Sequence, residues 1–255
     1  MNALPTILYT QAKDPERNAE AELTTLVQKS GWDACFLPCI QFEKLPLSKE
    51  DLTKGVSSDW VFLTSMRAVS SWVEALEKEQ MPLSTPVAVI GKKTAEIAQR
   101  KGLNVQFVPA VSGPSERFFA DFEEKIGIKG LRIFLPRAER ARDVLPDRIR
   151  KSGGECTVLS TYRTVCVPDL AEQWGNLLKQ NIDFRWVVFA SGSSVDCFLG
   201  QERFRHTFTK MNTQIATLGP VTTEAVHKQG LRVGLESGDA SLVHVTKTIL
   251  SQAAK

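Results

Sequence analysis

Two stretches of this chain return later in the same order, and that self-similarity constrains the fold more than composition does. Asp59-Trp60-Val61-Phe62-Leu63-Thr64-Ser65, followed by Val69, recurs as Arg185-Trp186-Val187-Val188-Phe189-Ala190-Ser191, followed by Val195, 126 residues on. Val89-Ile90-Gly91-Lys92-Lys93-Thr94 with Gly102-Leu103-Asn104-Val105 matches Thr217-Leu218-Gly219-Pro220-Val221-Thr222 with Gly230-Leu231-Arg232-Val233 at an offset of 128. The 255 residues therefore carry two copies of one plan, each close to the usual size of a domain.

Within each copy, short β-branched runs alternate with amphipathic runs, the pattern of α/β folds with a mainly parallel sheet. Strands are expected near 6–9, 34–37, 60–64, 87–90 and 105–108 in the first copy. In the second they are expected near 132–135, 156–159, 186–190, 215–218 and 232–235. Helices between them carry apolar residues at i, i+3, i+4 and i+7, as in Val69, Trp72, Val73 and Leu76. Near-continuous apolar strands imply sheets covered by helices on both faces. Five strands per copy point to two flavodoxin-like lobes.

In open α/β sheets the ligand crevice lies at the carboxyl ends of the strands, beside helix N-termini. Here those ends read Thr64-Ser65-Met66-Arg67, Gly91-Lys92-Lys93-Thr94, Pro136-Arg137-Ala138-Glu139-Arg140, Ser191-Gly192-Ser193-Ser194 and Gly219-Pro220-Val221-Thr222. Any one hydroxyl there is first a helix cap. Together, on two lobes, they form an anion-binding set. Positions 129–151 hold eight basic residues against three acids, a solvated helix face or a receptor for an anionic ligand.

Other chemistries lack their signatures. No GxGxxG follows the first strand and no GxxxxGK[ST] occurs, so dinucleotide and P-loop binding are disfavoured. Ala190-Ser191-Gly192 is not a GxSxG elbow, and neither HExxH nor a DxDxDG loop is present. Five cysteines without a CxxC pair read as reduced structural thiols, and the three histidines share no metal-ligand spacing. A net charge of +3 without aromatic interleaving argues against nucleic acid as a partner. No apolar run reaches the length of a membrane span, and Met1–Thr6 carries no leader signature, so a cytoplasmic protein is expected.

Phe62-Leu63-Thr64-Ser65-Met66-Arg67-Ala68-Val69, Ile90-Gly91-Lys92-Lys93-Thr94-Ala95, Leu135-Pro136-Arg137 with Arg142, Leu145 and Gly154, Thr161-Tyr162-Arg163-Thr164, Phe189-Ala190-Ser191-Gly192-Ser193 and Leu218-Gly219-Pro220-Val221-Thr222 stand in a telling order. Together they resemble the uroporphyrinogen-III synthase family. The resemblance implies that the lobes are not the repeats in tandem. One lobe would comprise 1–37 with 169–255 and the other 43–160. Two antiparallel linker strands, 38–42 and 161–168, would join them and act as a hinge.

The implied reaction is cyclisation of hydroxymethylbilane, a linear tetrapyrrole with eight carboxylates, to uroporphyrinogen III. Ring D is inverted through a spiro intermediate and water is lost, without a cofactor. On the same resemblance Tyr162 is the candidate acid toward the departing hydroxyl. Ser65, Arg67, Lys92, Lys93, Thr94, Arg137, Arg142, Ser191, Gly192, Ser193, Gly219, Pro220 and Thr222 are candidate substrate contacts. Gln11 departs from the family pattern, which has an arginine after the first strand. The rival is a non-catalytic tetrapyrrole or polyanion sensor of the same fold. Nothing in the sequence requires more than a monomer.

Overall fold

The computed structural model describes residues 3–12, 19–239 and 241–253. Met1 and Asn2, part of the segment read above for a leader signature, lie outside them. In chain order the elements are β1 (Pro5–Tyr9), α1 (Glu20–Gln28), β2 (Asp33–Phe36), β3 (Ile40–Lys44), α2 (Lys49–Val56), β4 (Trp60–Leu63), α3 (Met66–Lys78), β5 (Val87–Val89), α4 (Lys92–Arg100), β6 (Val105–Phe107) and α5 (Ser115–Lys125). There follow β7 (Arg132–Ala138), α6 (Val144–Lys151), β8 (Glu155–Cys166), α7 (Leu170–Leu178), β9 (Asp183–Phe189), α8 (Gly192–Leu199), α9 (Glu202–Lys210), β10 (Gln214–Thr217), α10 (Pro220–Lys228), β11 (Leu235–Glu236) and α11 (Leu242–Ala253).

The chain divides into two compact units, Met1–Gln41 with Val165–Lys255 and Phe42–Thr164. The first holds a five-stranded sheet in the order β11-β10-β9-β1-β2, parallel throughout. The second holds a six-stranded sheet in the order β3-β8-β7-β4-β5-β6, parallel from β8 to β6. Each unit draws β1 and β2, or their mates β7 and β8, from one repeat and β9 to β11, or β4 to β6, from the other, with β3 added at the edge of the second sheet. The copies have thus exchanged their opening βαβ segments.

That exchange makes the chain pass between units twice, on β3 and on the far half of β8. The Leu45 N–H donates to the Thr161 carbonyl at 3.0 Å and the Val167 N–H to the Cys39 carbonyl at 3.1 Å. Partner numbers rise on one strand as they fall on the other, so the two run antiparallel.

The strands are apolar on both faces because both faces are covered. In the second unit Val61, Leu63 and Phe134 pack with Val69, Trp72 and Val73 on one side. The alternate residues Phe62, Ile133 and Leu135 pack with Phe118, Phe122 and Ile149 on the other. Gly55 leaves room for Trp72; a Cβ there would overlap the indole and approach Phe134. In the first unit Ile7, Tyr9, Trp186 and Val188 meet Leu23, Val27, Val245 and Ile249. Trp174, Phe198 and Phe204 form the aromatic cluster of the same unit, and Phe198 lies 6.0 Å from Phe189 of β9.

Two expectations need correction. A sheet of five strands holds only for the first unit, because β8 runs twelve residues and β3 pairs along it. No glycine or proline interrupts 155–166, and its threonines and valines favour continued extension. The cysteines are not all free, since Cys166 at the end of β8 and Cys197 on α8 form a disulfide with Cα atoms 5.3 Å apart. Their 31-residue separation hides that proximity in the sequence. Cys35, Cys39 and Cys156 remain thiols. Burial pushes Cys35 and Cys156 up to about 11 and Cys39 further still, so none is a nucleophile at neutral pH. Thiol titration of the unfolded, unreduced protein should count three groups, rising to five after reduction.

Tyr9 gives the first unit a pH limit. Its ring is fully buried and stacks on Phe36 at 5.2 Å. Thr246 gives its own proton to the Leu242 carbonyl at 2.7 Å, so the Tyr9 hydroxyl is the donor in their 2.8 Å contact. Burial raises the phenol to about 12, above its ordinary 10. The neutral phenol is the favoured folded form. Its contribution is whole below about pH 10 and falls away as pH rises toward 12, by about 3 kcal/mol. Tyr9→Phe should flatten that alkaline loss, as read from urea midpoints at pH 9 and pH 11.

Candidate functional site

Ligands of open α/β sheets sit at strand carboxyl ends where the strand order reverses. In the second unit the reversal falls between β4 and β7, and in the first between β1 and β9. Ser65 and Arg67 follow β4 and Arg137 lies near the end of β7, while Ser191, Gly192 and Ser193 follow β9. Lys92, Lys93 and Thr94, after β5, stand one strand out. So do Gly219, Pro220 and Thr222, after β10.

The repeat reaches down to helix caps. Ser65 caps α3 with φ −157° and ψ 156°, its Oγ accepting from the Ala68 N–H at 3.0 Å. Ser191 caps α8 with φ −160° and ψ 159°, and Ser194 completes a capping box with it. At α4 and α10 the cap is Gly91 or Gly219, with no side-chain cap on the N-terminal N–H groups. A Cβ on Gly91 would run into the Ser112 hydroxyl. Thr94 and Thr222 are therefore not caps; both occupy the third helical position and are buried. Lys92 and Lys93, exposed on the first turn of α4, add cationic charge to a helix end that already favours anions.

Tyr162 stands on β8 past an irregularity. Arg137 pairs with Ser160 but Ala138 pairs with Tyr162, leaving Thr161 as an extra residue. Such a bulge shifts the alternation of the strand by one. Thr161 is buried and held by the Ser71 hydroxyl of α3 at 2.8 Å. The Tyr162 hydroxyl lies 3.3 Å from Ser65 Oγ. The Phe42 ring of β3 meets the Tyr162 ring edge-on at 6.2 Å and carries the Arg67 guanidinium 3.3 Å above its centroid. Ser65, Arg67 and Tyr162 are thus brought together.

The other cations are dispersed. Arg137 donates to the Arg142 carbonyl at 3.0 Å and to Asp143 at 2.5 Å, its side chain only 13% exposed and its buried Nε without a partner. Arg142 reaches Glu116 at 3.5 Å. Arg132 pairs with Asp59 at 2.9 Å, and Arg148 lies over Phe119. Arg132, Arg137 and Arg142 of the basic run are thus each held in a local ion pair.

In the first unit, Thr10 is buried after β1 and donates to the Val188 carbonyl at 3.0 Å, with half-buried Gln11 beside it. Thr217 and Thr223 share a 2.7 Å hydroxyl contact under α10. A cavity of about 870 Å³ in this unit lies at the opposite sheet edge, lined by Pro5, Trp32, Arg185 and Gln214. Amino ends of strands are not where this architecture binds ligands. Among the described residues no group of histidine, cysteine and carboxylate side chains could hold a metal ion, and no helix is long and apolar enough to cross a membrane.

Parallel sheets with helices on both faces define an α/β protein of the open-sheet class. The chain belongs to the uroporphyrinogen-III synthase HemD family, whose profile matches residues 21–246. It is 28% identical to a Methanothermobacter thermautotrophicus protein provisionally named uroporphyrinogen-III synthase, over 86% of this chain and 88% of that one. It is 22% identical to the Chlorobaculum parvum uroporphyrinogen-III synthase over 91% of this chain and 92% of that one. The crystal structure of uroporphyrinogen-III synthetase from Helicobacter pylori matches with a TM-score of 0.70 at 20% identity, covering 98% of this chain and all of that one. At that identity the match establishes the mixed α/β fold with parallel sheets.

That Phe42, Ser71 and Thr161 surround Tyr162 and Arg67, and that Ser112 meets Gly91, was not legible in the sequence, since each contact is made only in space. Removing either serine cap, by Ser65→Ala or Ser191→Ala, should lower stability by about 1 kcal/mol, with glycine restoring most of it. Denaturant midpoints of the four variants check this.

Proposed function

We propose that this protein closes hydroxymethylbilane to uroporphyrinogen III, inverting ring D and releasing water, as a cyclising lyase. Family membership supports the reaction. The observation that carries it at the level of residues is the Tyr162 phenol, re-phased by the Thr161 bulge and set beside Ser65 and the Arg67 cation.

The phenol donates its proton to the departing hydroxyl, which leaves as water and gives an azafulvene. Ser65 Oγ already accepts from Ala68, and its own proton is directed to the phenolate as it forms. Attack by ring D then gives the spiro intermediate, which fragments and recloses with that ring reversed. Carboxylates of the bilane bind Arg67, Lys92, Lys93, Arg137 and Arg142 in the second unit. In the first they meet Ser191, Gly192, Ser193, Gly219, Pro220 and Thr222. Each charge-assisted contact is worth about 1.5 to 3 kcal/mol, so several modest ones suffice. The helix ends capped only by Gly91 and Gly219 accept anions in the same way, and Thr94 lines the first of them.

The strand orders support two flavodoxin-like lobes. With the opening βαβ counted first, the first unit follows the 2-1-3-4-5 order of doubly wound sheets, and the second follows it with β3 added at one edge. On this reading the lobes are 1–37 with 169–255 and 43–160, linked by 38–42 and 161–168. The protein works as a cytoplasmic monomer, with a tetrapyrrole and no nucleic acid or membrane as its partner.

The uninverted isomer forms without help, so the diagnostic is the product ratio. Given hydroxymethylbilane, the protein should yield type III over type I porphyrin by about a hundredfold, a barrier difference of about 2.7 kcal/mol. Pure type I at high protein concentration would refute the assignment. Tyr162→Phe should lower kcat by about a hundredfold while leaving the denaturant midpoint in place.

A further inference from the structure

We infer that Phe42 is a positioning residue for this reaction, holding the Arg67 cation and the Tyr162 phenol on one aromatic platform. The inference rests on the role of Tyr162 given above. Phe42 lies on β3, outside every motif that marks the family resemblance, and three observations converge on it.

The first is the Arg67 guanidinium, 3.3 Å from the ring centroid, where the negative face of the quadrupole attracts a cation. The second is the Tyr162 ring, 6.2 Å away and inclined by 73°, the edge-to-face arrangement that aromatic pairs favour. The third is the strand itself. Leu45 donates to the Thr161 carbonyl at 3.0 Å, and the neighbouring Glu43 pairs with Arg163 at 2.9 Å, so the residues that follow Phe42 tie this strand to β8 at the bulge.

The consequence is chemical. Arg67 lies in the first turn of α3 after β4, and Tyr162 lies on β8 opposite Ala138, so they arrive on different elements. Phe42 sets their separation. A carboxylate held by Arg67 then lies at a fixed distance from the phenol, and the departing hydroxyl of the same substrate is presented to Tyr162. Loss of the ring leaves both functional groups present but removes the surface they share. This should reduce kcat more than it raises KM, and it should let more substrate close without inversion.

The test compares Phe42→Leu and Phe42→Met, which keep apolar volume, with Phe42→Tyr, which keeps the aromatic face. Leu and Met are expected to lower kcat about two- to fivefold, the scale of an exposed cation–π contact, and to raise the type I fraction. Tyr should restore both. A second readout is independent of turnover. The chain has only two tyrosines, and Tyr9 belongs to the other unit. With ring-labelled tyrosine, the NMR signals of Tyr162 should move in Phe42→Leu while those of Tyr9 stay. Unmoved Tyr162 signals, or a wild-type kcat and isomer ratio in both aliphatic variants, would overturn the inference. If one aliphatic variant fails to fold, the other carries the comparison. Wild-type turnover in Tyr162→Phe would instead overturn the role of the phenol, and the NMR result would still decide whether Phe42 places it.

Discussion

Burial of both sheet faces governs this molecule. A strand such as β4, with Val61 and Leu63 on one side and Phe62 on the other, is stable only between two layers of helix. Each repeat supplies five such strands, yet neither repeat forms a sheet alone. The opening βαβ of each copy completes the sheet of the other, and the resulting central pairs, β1 with β9 and β7 with β4, join strands from different copies. Those pairs are also the reversal points, so the switch-point edges exist only because the copies traded segments.

At the carboxyl ends of the strands the same conformation serves two ends. Ser65 and Ser191 close their helices with their own side chains, whereas Gly91 and Gly219 leave theirs open. A closed end holds a hydroxyl in place, and Ser65 extends that hydroxyl to Tyr162. An open end leaves its first backbone N–H groups without a side-chain partner at the cap. Duplication thus gave each unit one fixed hydroxyl and one bare helix terminus, and divergence decided which neighbours they received. Arg67 and Phe42 are such neighbours in the second unit.

Most strands were legible because apolar runs and turn residues mark them locally; β1, β4, β5 and β10 fall within a residue or two of expectation. The length of β8 was not, since a crossing strand and a sheet strand have the same composition when no turn residue divides them. Ser65, Ser191, Gly91 and Gly219 could be found because the repeat displays each twice. Arg137 and Arg142 were legible as cations but not as partners of Asp143 and Glu116, contacts set by the fold of one loop. Period-two alternation places Ser160 and Tyr162 together, and only pairing with Arg137 and Ala138 reveals the offset. The Cys166–Cys197 bridge was invisible for the same reason.

Thr161 has a consequence for how such a site can evolve. One surplus residue decides which side of the sheet receives the phenol, so parity of chain length, and not side-chain identity alone, encodes the aim of Tyr162. A single-codon deletion there would keep Ser65, Arg67 and Tyr162 in the gene and still turn the tyrosine to the other face, whereas neutral substitutions at neighbouring exposed positions leave its heading untouched.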